Sequence, residues 1–152
     1  MVPIKTMLHP TDFSPHCDAA FQFASLLARD YSARLIVLHV LQPRPVGPGG
    51  AQAVPYLPAE FGRKEAEEQL RTLQPTLAGV HIEHWLQEGD PVEVILHIAQ
   101  KTPCDVIVLG TQGRTGLGRL LLGSVAEAVL RRAHCPVLTV KAPVPEASKG
   151  TA

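Results

Sequence analysis

"DVIVLGTQGRTGLGRLLLGSVAEAVLRR", residues 105–132, passes through three textures in succession. An apolar, β-branched run from Asp105 to Leu109 gives way at Gly110 to a stretch holding five glycines and two arginines that ends at Ser124. Apolar residues then recur at helical spacing, at Val125, Ala126, Val129, Leu130 and Ala133. This order predicts a buried strand, a glycine-rich loop and an amphipathic helix, which is one half of a βαβ unit.

The same alternation runs outward in both directions. Further strands are predicted at Ile4 to Leu8, Leu35 to Val40, Val80 to Leu86 and Pro136 to Val140. "LIVLHV" and "VIVL" are nearly continuous in apolar residues, as central strands covered on both faces should be, whereas "VHIEHWL" alternates like an edge strand. Helical stripes fall at Ala20, Phe23, Ala24 and Leu27, and at Val92, Ile95, Leu96 and Ala99. Ser14-Pro15, Asp90-Pro91 with Glu93, and Ser124 with Glu127 mark the starts of three helices by N-cap and first-turn chemistry. A further, more solvated helix is expected from about Ala59 to Leu73. Together these predict one α/β domain, a doubly wound parallel sheet with helices on both faces, over residues 1–142. The proline- and glycine-rich connection 42–58 and the tail 143–152 have no periodic pattern and are expected to be flexible.

Composition narrows the function classes. The chain has 152 residues, enough for one sizeable core, and no apolar run approaches the roughly 20 residues that span a bilayer. No secretory pattern opens the sequence, so a cytoplasmic location is expected. Fourteen basic residues balance fourteen acidic ones, which speaks against a dedicated nucleic-acid binder. Cys17, Cys104 and Cys135 are too scattered for a disulfide framework or a metal knuckle and read as buried reduced thiols. His81 and His84, three apart on a strand, point to opposite faces and make a poor chelate, so no protein-held metal is expected.

The glycine loop is where a ligand would sit. Doubly wound sheets bind at the carboxyl ends of their strands, where strand order reverses. Glycines there let backbone amides approach a phosphate, and the start of the following helix adds free donors. Gly110, Gly113, Gly123 and the Ser124 amide are candidate contacts. A dinucleotide fingerprint does not fit, because thirteen residues separate Gly110 from Ser124. A Walker A loop is nearly mimicked by "GRLLLGS", but its lysine is missing.

What remains is Gly110-x2-Gly113-x9-Gly123-Ser124. With the opening "MLHPTDFSPHCDAAFQFA", the "VLHV" ending at Val40 and the closing "GSVAEAVLRRAHCPVLTVK", this spacing resembles the nucleotide-binding branch of the universal stress protein family over nearly the whole chain. The resemblance implies a flavodoxin-like sheet of five parallel strands ordered 3-2-1-4-5, with ATP or AMP as ligand and any Mg carried on the phosphates. It implies that Pro10, Thr11 and Asp12 lie beside the adenosine and the Val40 backbone near the adenine. Gly110 and Gly113 then follow the ribose and phosphates, and Gly123, Ser124 and Val125 hold the phosphates. It also implies a homodimer through the strand 136–140, whose uncovered apolar edge invites pairing in any case.

Bland roles stand beside these. Ser124 caps its helix whether or not its amide serves a phosphate, and Asp12 is either a ribose acceptor or a turn residue satisfying nearby amides. Arg114 and Arg119 either neutralise phosphate or stand in solvent. No nucleophile signature is present, and ATP hydrolysis would have only the arginines to draw on. The expected function is an adenine-nucleotide-binding stress sensor or signalling module read by a protein partner, with at most slow hydrolysis. The rivals are an interaction module of the same fold without nucleotide, and a slow ATPase.

Overall fold

In the computed structural model, residues 3–42, 59–111 and 122–142 are described. The flexible connection and tail expected from the sequence, and Gly113, Arg114 and Arg119, lie outside them. Strands and helices alternate as β1 (Thr6–Pro10), α1 (Pro15–Tyr31), β2 (Arg34–Leu41), α2 (Ala59–Thr72), β3 (His81–Glu88), α3 (Pro91–Lys101), β4 (Val106–Gly110), α4 (Ser124–Arg132) and β5 (Val137–Val140). All five strands are parallel, in the order β3-β2-β1-β4-β5, with the alternating segment β3 at one edge as its pattern predicts. The architecture is the doubly wound α/β sheet expected from the sequence. None of the helices among the described residues is long and apolar enough to cross a membrane.

Each face of the sheet has its own core. Met7, Leu35, Val37, Val106 and Val108 meet Phe21, Ala24 and Ala28 of α1 and Leu70 of α2. Leu8, Ile36, Leu38, Ile107 and Leu109 point the other way, onto Ile95, Ile98 and Ala99 of α3 and Ala126 and Val129 of α4. α1 and α2 thus cover one face and α3 and α4 the other, so the direction of winding reverses between β1 and β4. Those two strands leave the sheet toward opposite faces, which opens a crevice between their carboxyl ends.

Three details differ from the sequence reading. On α1 the inward position belongs to Phe21, 3% exposed, and Phe23 is 40% exposed. Ala20, Ala24 and Ala28 bring the helix close to the sheet, and Phe21 lies about 20° past Ala28 on the buried arc that also holds Cys17 and Ser25, whereas Phe23 falls outside it. Leu130 on α4 is likewise 47% exposed, because Ala126 and Val129 centre the buried face and Leu130 lies about 70° from that centre. Finally, Ser124 is the first helical residue and Gly123 is the N-cap. The Glu127 carboxylate reaches forward to Arg131 at 2.9 Å, so the predicted capping box does not form. The other two starts fall where expected: the Asp90 carboxylate accepts from the Glu93 amide, while Ser14 caps α1 without using its hydroxyl.

β1 runs two residues beyond the predicted Leu8, and its last two residues shape the crevice. The Ile107 amide donates to Pro136, which turns Val106 and Val108 toward β1. The Arg34 amide donates to Lys5 and the Thr11 amide to Leu38, which turns Leu8 and Pro10 toward β4. The next rung of the β1·β4 ladder would therefore be Pro10 N–H to the Val108 carbonyl, and proline has no N–H to give. Pairing stops at Leu8↔Ile107. The orphaned Val108 carbonyl instead accepts from His9 Nδ1 at 2.9 Å. At the other end of the ladder, Asp105 Oδ2 accepts from the amides of Lys5 and Thr6 at 2.8 and 2.9 Å.

His9 is fully buried, and its Nε2 has no hydrogen-bond partner among the described residues. Burial lowers its pKa from 6.5 to about 4, against the opposing pull of the Val108 carbonyl and the Asp12 charge. An unfolded chain takes up this proton near pH 6.5, whereas the native one refuses it until about pH 4. The contribution to stability is complete above pH 6.5 and is lost as the pH falls toward 4, about 3 kcal/mol in all. Denaturant titrations at pH 7 and pH ~4.5 should show His9→Gln losing about 2 kcal/mol less than the parent over this interval. Equal losses in the two proteins would refute the assignment.

Candidate functional site

The crevice is lined by the turn that follows β1. The Thr11 amide is tied to Leu38 at 2.8 Å, and the Thr11 carbonyl accepts from His39 Nδ1 at 2.8 Å. The Phe13 amide donates to Thr11 Oγ1 at 3.1 Å, in an ST-turn that holds Phe13 at φ +62°. The Phe13 ring lies 4.2 Å from that of His39, tilted by 31°. Two rings from two elements thus meet on the α1 side of the sheet, while the half-buried Val40, near the end of β2, packs on the α3 and α4 side.

Asp12 is half-buried, and its Oδ1 accepts from the Ser14 amide at 2.9 Å and from the Cys17 thiol at 3.1 Å. The carboxylate therefore serves the start of α1, as its turn-forming alternative expects, and sits near the positive end of the helix. Burial, above all, pushes the Cys17 thiol up, which keeps it protonated and donating to Asp12.

Across the crevice, β4 ends at Gly110. A Cβ on this glycine would lie 2.9 Å from the His16 carbonyl oxygen and 3.6 Å from the Cys17 Cα. Gly110 is therefore a point of contact between β4 and the first turn of α1, independent of any ligand. Thr111 donates to Val140, and the Gly123 amide donates to the Thr111 carbonyl at 2.7 Å. The two ends of the glycine-rich segment are joined by that bond, which commits the Gly123 amide and places the start of α4 beside the end of β4. The amides of Ser124 and Val125, in the first turn of α4, have no intrahelical acceptor.

Of the site residues read from the sequence, Pro10, Thr11, Asp12, Val40, Gly110, Gly123, Ser124 and Val125 are all brought to the carboxyl end of the sheet. Phe13, His39 and Cys17 were not singled out. A signal existed for Phe13 and His39, since both adjoin named residues, but nothing in the sequence reveals that their rings touch. The imidazoles of His81 and His84 go separate ways, to Glu83 and to the Leu73 carbonyl. No group of three or more metal-ligating side chains occurs among the described residues.

Comparison with known proteins gives a consistent picture. A family model described as the universal stress protein family matches residues 3–141. Universal stress protein MJ0531 of Methanocaldococcus jannaschii is 38% identical over 144 residues, covering 93% of this chain and 85% of the relative. Among solved structures, that of protein MJ0577 from the same organism is 30% identical with a TM-score of 0.74, covering 94% of this chain and 99% of that one. A universal stress protein solved in complex with cAMP is 26% identical with a TM-score of 0.61, covering 91% of this chain and 98% of that one.

The Gly110 contact has a measurable consequence. The His16 oxygen belongs to the backbone and cannot rotate aside, so Gly110→Ala must separate β4 from α1. Urea denaturation should show a loss of about 1–3 kcal/mol with no nucleotide present. A stability equal to the parent's would mean that the glycine is kept for a ligand alone.

Proposed function

We propose that this chain, which belongs to the universal stress protein family, binds an adenine nucleotide in the crevice between β1 and β4 and acts as a sensor or signalling module. The observation that carries this reading is the parting of β1 and β4 at the reversal of winding, with Asp12 on one lip and the first turn of α4 on the other. In this assignment Pro10, Thr11 and Asp12 lie along the adenosine, and a carboxylate oxygen of Asp12 accepts from a ribose hydroxyl. The Val40 backbone meets the adenine. The Ser124 and Val125 amides take the phosphates, aided by the dipole of α4, and Gly110, Gly113 and Gly123 keep Cβ atoms out of the way. Arg114 adds positive charge to the phosphate side, and any Mg rides on the phosphates. ATP and AMP both fit this assignment, and turnover of bound ATP is expected to be slow. The cAMP complex of a relative supports an adenine nucleotide as the ligand class.

Two observations favour a second reading, an interaction module that binds no nucleotide. Asp12 Oδ1 already has two donors, and Gly110 is required by packing whether a ligand is present or not. The readings part on one measurement. Purified protein is unfolded and the supernatant analysed for ATP, ADP and AMP, and calorimetric titration with ATP and AMP follows on the parent and on Gly123→Val and Gly113→Val. Nucleotide binding that disappears in the folded variants supports the sensor. An empty supernatant with no binding at millimolar nucleotide overturns the nucleotide-binding reading and favours the interaction module instead.

We further assign a homodimer to the free edge of β5. Pro136 and Val140 give their carbonyls to β4, so the alternate residues Val137 and Thr139 turn their backbone groups outward. Thr139→Pro removes an outward donor and leaves the β4·β5 ladder intact. Light scattering should show the parent as a dimer and the variant as a monomer; a dimer that persists in the variant rules this edge out.

A further inference from the structure

At the opposite end of the sheet from the crevice, β4 and β5 are each preceded by a cysteine. The strands pair Ile107↔Val137, the Ile107 amide donates to the Pro136 carbonyl just before that pair, and the thiols of Cys104 and Cys135 are within hydrogen-bonding reach of each other. Both side chains point to the same face: Cys104 is buried in the core formed with α3 and α4, and Cys135 packs against it, half-buried. Both also line one hollow of about 210 Å³, walled by Leu96, Ala99, Pro103 and Ala133. Two thiols already in contact need only a small side-chain rotation to reach the roughly 2 Å S–S separation of a disulfide.

We propose that Cys104 and Cys135 form a reversible disulfide switch, oxidised by a small hydroperoxide entering through the hollow. The thiolate of Cys135, the more exposed of the two, attacks the peroxide oxygen. An S–O bond forms, the O–O bond breaks, and the leaving alkoxide takes a proton to depart as alcohol, or as water when the oxidant is hydrogen peroxide. The thiolate of Cys104 then attacks the Cys135 sulfur; an S–S bond forms, the S–O bond breaks, and hydroxide leaves with a proton as water. In sum, two thiols and one hydroperoxide give one disulfide, one alcohol and one water, a two-electron oxidation. A small thiol reverses it by exchange.

The setting makes this switch slow to fire. Burial first, and then the neighbouring Cys135, pushes the Cys104 thiol up to about 12, and burial raises Cys135 as well. Thiolate is scarce at neutral pH, so the pair responds to sustained oxidation and not to brief exposure. The bridge would close a chain loop from 104 to 135 that contains Gly110, Gly123 and all of α4. Cys17 takes no part, since its thiol is held by Asp12 at the other end of the sheet.

The test uses the full chain, reduced and freed of reductant, then treated with hydrogen peroxide. Remaining thiols are alkylated under denaturing conditions and mapped by mass spectrometry. Alkylatable thiols should fall from the three free cysteines to Cys17 alone, with the protein about 2 Da lighter before alkylation and a peptide linking 104 to 135 after it. Dithiothreitol should restore all three. In Cys135→Ser, a conservative change at the less buried position, Cys104 should stay alkylatable under the same treatment. The proposal is overturned if Cys104 and Cys135 both stay free in the parent, if Cys135 is overoxidised while Cys104 stays free, or if the link found involves Cys17. Loss of Cys104 in Cys135→Ser at the parent's rate overturns it equally.

Discussion

A hydrogen bond that cannot form shapes this molecule. Pro10 stands where β1 should give its next amide to Val108, and without that amide the two central strands separate. In most sheets a lost rung at the centre leaves a buried carbonyl without a donor, at a cost of about 1–3 kcal/mol. Here the His9 imidazole supplies the donor from the side, so the strands part without leaving the carbonyl bare. The unmet need is moved to His9 Nε2, a buried lone pair that tolerates isolation better than a buried N–H does. The crevice and the burial of a neutral His9 thus share one cause.

A second constraint fixes the crevice from the other side. α1 has to start close to the end of β4, because the β1–α1 turn is short and the alanine face of the helix lies flat on the sheet. The His16 carbonyl then comes so near to β4 that only glycine fits at position 110. Asp12 and Cys17 belong to the same knot, the carboxylate receiving both the Ser14 amide and the Cys17 thiol. Asp12 and Gly110, two of the residues read from the sequence as ligand contacts, therefore also set the entry of α1. Ligand contact and structural role are not alternatives at these positions.

The fold was legible because it is written in period. Continuous apolar runs marked the central strands, an alternating run marked β3 as an edge, and proline after a capping residue marked two helix starts. The order of the strands came from the family resemblance and not from periodicity, and the sheet bears it out. Errors arose where periodicity leaves a choice of arc: Phe23 and Phe21 both fit a helical stripe with Ala20 and Ala24, and only the approach of the sheet decides for Phe21. The Ser124 cap was misread for a similar reason, since serine is the better cap in isolation, but a tertiary bond from the Gly123 amide to Thr111 fixes Gly123 in the extended conformation at the helix boundary. Phe13 against His39, and Cys104 beside Cys135, are meetings of segments distant in sequence, and local pattern carries no trace of them.

That bond from Gly123 to Thr111 also changes how the glycine spacing is understood. Read as a string, Gly110-x2-Gly113-x9-Gly123 looks like glycines spread along a strap, each free to offer an amide. In the fold, residues 111 and 123 are in direct contact, so the ends of the segment are fixed to one another and to β5 through Val140. The start of α4 is thereby tied to β4 and β5. The first-turn amides without an intrahelical acceptor are then those of Ser124, Val125 and Ala126, because that of Gly123 is spent on the closure. Donors held on a helix that is itself packed through Ala126 and Val129 are aimed before any anion arrives. Gly110 is held by its approach to His16 and Gly123 by its bond to Thr111, so both ends of the segment are set by the fold.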